Sequence, residues 1–98
     1  MNLEISGVLI QKALRIDDEI MEEEREYIDL LKSNALYFIE DATEIESVRM
    51  TIKSKSKCTL LALMLMDDWY ENREMTTKVS EKMRLSVDSL IKQINYGG

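Results

Sequence analysis

The run CTLLALMLM, Cys58–Met66, contains nine residues and no charge, and it sets the tightest limit on how this chain can fold. Nine residues are roughly half of the ~20 that a membrane-spanning helix needs, so the run predicts a core helix. Apolar nearly all round between Leu60 and Met66, such a helix has to be wrapped by others. The rest of the chain can supply them. It has no proline and only three glycines, with 45% hydrophobic and 33% charged residues, a composition that favours helices. Its 98 residues make one domain, of a size at which burial alone gives thin stability and a partner subunit helps. The expected fold class is therefore all-α: one helical domain over residues 1–98, a small bundle of about four helices with a long second helix and a central apolar third.

Ser6 can cap a short first helix carrying Val8, Leu9, Ala13 and Leu14, which ends near Arg15 and Ile16. Asp17 then caps the second, and Asp18, Glu19 and Glu22–Glu24 place negative charge at its positive end. Ile20, Tyr27, Ile28, Leu31, Ala35, Phe38, Ile39 and Ala42 recur at helical spacing, sustained for about seven turns at ~3.6 residues per turn. From Glu44 to about Lys53 the β-branched residues are irregularly spaced, which reads as a connector. Ser54 or Ser56 can cap the third helix, which runs to about Arg73. The lysines that follow sit at the unfavourable end of its dipole, so they fit a contact role. TTKVSEK reads as an exposed polar loop, and Leu85, Val87, Leu90, Ile91 and Ile94 make a last amphipathic helix ending at Gly97.

Several classes of function fit poorly. A net charge of −6 gives no general attraction to phosphate backbones or membrane surfaces. The one cysteine, Cys58, lies in the apolar run, so a disulfide framework is excluded and a reducing compartment is natural. No secretory signal is visible, and a cytoplasmic setting is expected. There is no histidine, no glycine-rich phosphate loop, and no serine or cysteine beside a plausible base, so no enzyme, catalytic residue, cofactor or metal is expected. The acids of DDE and EEE are consecutive and spread around a helix rather than converging, and no calcium-loop spacing occurs. Met64 and Met66 sit among leucines as core filler, while Met21, Met75 and Met83 are better placed for exposed contact.

The apolar run leads straight into DDWYENRE, Asp67–Glu74. On a helix Leu65, Trp69 and Arg73 fall on one stripe, and Arg73 lies three residues from Tyr70, so its guanidinium can cover either ring. Asn72 is a poor helix former suited to closing a helix or anchoring a loop. The group can lock the third helix to its neighbours. Equally it can face another chain, since Trp, Tyr and Arg are the residue types of interface hot spots.

LLALMLMDDWYENRE resembles the signature of the gp6-like head-tail connector proteins of tailed phages and prophages, in which an apolar helix runs into a WYENRE-type segment. LRID, Leu14–Asp17, followed by an acidic long helix, resembles the family's opening, and VDSLI, Val87–Ile91, resembles its closing helix. Arg84 and Leu85 stand where the family often has a proline and an aromatic, and Asp68 where it often has a histidine. The resemblance implies a structural subunit made in the host cytoplasm and built into the virion at the head-tail interface. There it would form a homo-oligomeric, dodecameric ring beneath the portal protein and offer a docking surface to stopper or tail-completion proteins. Double-stranded DNA would pass through the lumen without sequence recognition, and no membrane is involved. Trp69, Tyr70, Asn72 and Arg73 would be the structural and assembly signature.

A ring needs a heterologous interface, one face of each subunit fitting a different face of the next. Glu22, Glu23 and Glu24 on the second helix and Lys53, Lys55 and Lys57 at the start of the third are candidates to pair between subunits, against the alternative of ordinary solvated helix faces. A different class of function is a small acidic inhibitor or adaptor that binds a host protein as monomer or dimer. The 13 basic residues interspersed with 19 acidic ones weaken a DNA mimic in particular.

Overall fold

A computed structural model describes residues 3–43, 51–72 and 79–97. Every element among these residues is an α-helix, and no strand occurs. In chain order the helices are α1 (Gly7–Leu14), α2 (Asp18–Glu23), α3 (Arg25–Ala42), α4 (Ile52–Glu71) and α5 (Glu81–Gly97). The all-α expectation holds, with five helices among the described residues instead of about four.

The extra helix comes from a break in the long second helix. Asp17 does cap it, its carboxylate accepting from the Ile20 N–H at 2.9 Å. At Glu24, however, the backbone turns to φ −104°, ψ 18°, and α3 starts afresh. The Glu24 N–H still bonds the Ile20 carbonyl at 2.9 Å, and its own carbonyl accepts from Ile28 at 2.9 Å. The break is therefore a redirection of one helical path without a loop, and the apolar spacing on either side stays in phase.

The other boundaries follow local capping. The Ser6 hydroxyl accepts from the Val8 N–H at 3.2 Å. α1 ends at Arg15, which adopts left-handed backbone angles (φ 58°, ψ 46°), while Ile16 N–H bonds back to the Gln11 carbonyl at 3.1 Å. This is the six-to-one closure usually assigned to glycine. α4 begins two residues before the earliest cap foreseen. Thr51 caps it, its hydroxyl accepting from Ser54 N–H at 3.0 Å, and Ser54 is buried in the first turn. The β-branched threonine that broke the helical pattern is thus the residue that starts the helix. α4 closes at Glu71, short of Arg73, which lies outside the described residues.

α4 packs against α1, α3 and α5. Its inward residues Cys58, Leu61, Ala62, Leu65, Met66 and Trp69 meet Ile28, Leu31, Ala35 and Ile39 of α3, Ile10 and Leu14 of α1, and Val87 and Ile94 of α5 in one core. Each large side chain among them adds about 1.5–3 kcal/mol by leaving water, and small Ala35 allows close approach of helix axes. The wrapping of α4 is incomplete, contrary to expectation: Leu60 remains 51% exposed and Ile52 85%. Two smaller expectations also change. Val79 and Ser80, expected in an exposed loop, are half-buried. Met21 and Met83 pack against the core instead of standing free, and Met75 lies outside the described residues.

Candidate functional site

The segment Asp67–Asn72 ends α4, and its side chains are fastened to several different parts of the molecule. The helix sets this up, because consecutive residues point about 100° apart and so address different neighbours. Trp69 is buried and meets Phe38 of α3 edge-on, ring centroids 6.1 Å apart and planes at 77°, a preferred aromatic geometry. Tyr70 sits 6.4 Å from the Tyr27 ring, and its hydroxyl donates to the Glu24 carboxylate. It thereby holds the point at which α2 gives way to α3. Asp67 and Glu71, four residues apart on one stripe, both receive the Arg15 guanidinium, Asp67 at 3.2 Å. That ties the close of α1 to α4.

Asp68 has the most demanding position. Only 6% exposed, its carboxylate accepts from the Ser80 N–H at 3.0 Å and from the Ser80 hydroxyl at 2.6 Å. Ser80 in turn offers its carbonyl to Met83 and Arg84 at 3.1 and 3.0 Å, so it stands at the start of α5. A carboxylate is thus placed at the positive end of a 17-residue helix, where a negative charge is favourable. Asn72 completes the end of α4: its amide donates to the Asp68 carbonyl at 3.0 Å and to the Asp68 carboxylate at 3.3 Å.

Trp69, Tyr70 and Asn72 therefore come together in one knot, and Arg73 lies outside the described residues. Among the described residues the cation at this helix end is Arg15, brought from the close of α1. Sequence reasoning placed Arg15 only at the close of the first helix and in the LRID segment, and gave no anchoring role to Arg15, Asp68 or Ser80.

Within one chain the acidic and basic candidates for pairing between subunits lie apart. Glu22 pairs with Arg25 at 2.6 Å, and this hydrogen bond and charge, with Asp29 adding to them, push the Arg25 guanidinium further above its ordinary value. Glu24 holds Tyr70, and Glu23 is exposed. Lys53 and Lys55 are exposed and Lys57 half-buried at the opposite end of α4, about 22 Å from Tyr70 at ~1.5 Å per residue.

Chemically the knot is an anchoring device. Among the described residues no three His, Cys, Asp or Glu side chains form a group able to hold a metal ion, and no helix is long and apolar enough to cross a membrane. Cys58 is fully buried, and burial pushes its thiol above the ordinary value, which makes it a poor nucleophile.

What the knot leaves outside is equally specific. Leu30 and Tyr37 of α3 are 56% and 63% exposed, and Ile52 and Leu60 lie open on α4. The members of each pair are seven and eight residues apart, so each pair forms a stripe on one helix face.

No family model, no curated protein and no solved structure matches this chain.

Proposed function

We propose that this chain is a structural, non-catalytic subunit of a phage or prophage head-tail connector. In this reading it assembles into a ring beneath the portal, extends the DNA channel and gives stopper or tail proteins a surface to dock on. The resemblance of LLALMLMDDWYENRE to connector proteins is its starting point. The observation that carries it is the pair of apolar stripes, Leu30 with Tyr37 and Ile52 with Leu60, left in solvent by a domain whose described signature residues, Trp69, Tyr70 and Asn72, are engaged internally. Aligned exposed apolar side chains mark an association surface, and a domain this small gains stability from neighbours.

The resemblance and the knot fit together physically. A ring subunit has to present its joining faces at fixed angles, and a helix end that pins α1, α3 and α5 to α4 supplies that stiffness. An acidic inhibitor acting as a DNA mimic needs a surface of carboxylates alone, whereas here 13 basic residues are interspersed with 19 acidic ones, and Glu22 and Glu24 are engaged with Arg25 and Tyr70. A net charge of −6 also suits a conduit, since a wall rich in lysines would hold phosphates and slow DNA passage.

Light scattering coupled to size exclusion, over a wide concentration range with and without a portal ring, tests the proposal, with negative-stain imaging of any large species. Closed rings, free or seated on the portal, are the expected result. A small species that ignores the portal at every concentration would contradict it and favour the inhibitor or adaptor.

A further inference from the structure

The stripes on α3 and α4 carry opposite charge, which sets them apart from the other exposed apolar side chains, Val8, Leu9, Leu85 and Tyr96 among them. Leu30 and Tyr37 lie about 10 Å apart along α3 at ~1.5 Å per residue. They occupy the face opposite the buried Ile28, Leu31, Ala35 and Ile39. Exposed Glu26 lies four residues before Leu30, and exposed Asp41 four residues after Tyr37, so this stripe is acidic at both ends. Ile52 and Leu60 lie about 12 Å apart on α4, with Lys53 and Lys57 along one edge. Because α3 and α4 pack core face to core face, the outer stripes point away from each other. They cannot meet within one molecule.

We propose that the acid-ended stripe of α3 seats on the lysine-edged stripe of α4 in a second copy of this chain, head to tail. Two helix faces of matching apolar length and opposite charge are what a helix-on-helix contact needs, and one sequence carries both halves. The joined faces differ, so each copy in a pair retains one unused face and can recruit another. The inference rests on the connector reading, to which it adds the faces that join the subunits. It also moves the acidic side of the joint from Glu22–Glu24, partly engaged within the chain, to Glu26 and Asp41.

Sedimentation velocity on the full chain and two double variants tests it. One variant, Leu30→Glu with Tyr37→Glu, spoils the α3 stripe; the other, Ile52→Glu with Leu60→Glu, spoils the α4 stripe. All four positions are exposed, and circular dichroism checks that both variants fold. The wild type is expected to grow in mass with concentration, and each variant alone to associate at least about tenfold more weakly, a shift of ~1.4 kcal/mol. An equimolar mixture should stop at a heterodimer, because only one sound joint remains. A variant that grows like the wild type, a mixture without heterodimer, or a wild type still monomeric at roughly 1 mM would overturn the assignment. Rings persisting in both variants would keep the connector and discard these faces. A heterodimer beside open wild-type chains would keep the faces and discard the ring.

Discussion

The two ends of α4 are built from the same helix and do opposite things. At the C-terminal end, Asp67–Asn72, the side chains reach α1, α3, the start of α5 and the helix's own terminus. At the N-terminal end Ile52 and Leu60 stand in solvent beside lysines. Composition alone would rank them the other way, since aromatic and charged residues commonly mark interfaces and leucines mark cores. The difference teaches that residue type does not decide which surface is used internally. What decides is whether neighbouring helices supply partners, and here α1, α3 and the start of α5 send their polar and aromatic ones to the C-terminal end, while at the other end only the inward face of α4 is covered.

The contrast can be broken most severely at Trp69. Trp69→Ala removes a fully packed ring from the centre of the knot and should cost about 3–5 kcal/mol, enough to unfold much of so small a domain; urea titration followed by circular dichroism measures it. Asp68→Ala comes next. It leaves the Ser80 N–H and hydroxyl half-buried without their acceptor, at about 1–3 kcal/mol. Hydrogen exchange should show the first turn of α5 losing protection before the rest of the molecule.

Arg15 separates charge from backbone. Its ion pairs are exposed, so Arg15→Ala should lose no more than about 1 kcal/mol and keep the left-handed strain. Arg15→Gly loses the same pairs but relieves about 1 kcal/mol of that strain. Matched thermal melts should place the glycine variant near wild type and above the alanine variant.

Cys58 sharpens the comparison within the N-terminal half, because it faces the core there. Its folded thiol holds its proton above the ordinary value, so below about pH 8.5 both states are protonated and nothing is lost. As pH rises past that point the unfolded thiol ionises first and stability falls. Urea midpoints should drop as pH rises from about 8.5 to about 9.5, and Cys58→Ala should drop less.

Much of the fold was legible because its signals are local. Ser6 and Asp17 cap the helices as their side chains predict, and the apolar spacing of α3 and α5 matches their core-facing residues, except that Leu85, expected on the apolar face of α5, is 82% exposed. The break at Glu24 was invisible because Ile20 and Tyr27 keep helical phase across it, and the group that holds the break, the Tyr70 hydroxyl, lies 46 residues away in sequence. The start of α4 was misread because Thr51 is β-branched and counts against a helix unless it is a cap. The anchor from Asp68 to Ser80 joins residues twelve apart in sequence, with no periodic or capping pattern linking the two. Of the candidate site, the aromatic pair and Asn72 were recognised by type. Their partners Arg15, Glu24, Phe38 and Ser80 are set by tertiary packing, which no spacing rule encodes.

The central proposal is that the C-terminal end of α4 fastens the fold while the exposed face of its N-terminal end, with Ile52 and Leu60, joins copies. The most direct measurement is urea unfolding and sedimentation velocity on one variant, Ile52→Gln with Leu60→Gln, which keeps helix propensity while removing both exposed apolar side chains. The account predicts stability within about 0.5 kcal/mol of wild type together with loss of self-association. A variant that loses as much stability as Asp68→Ala, yet still assembles, would contradict it.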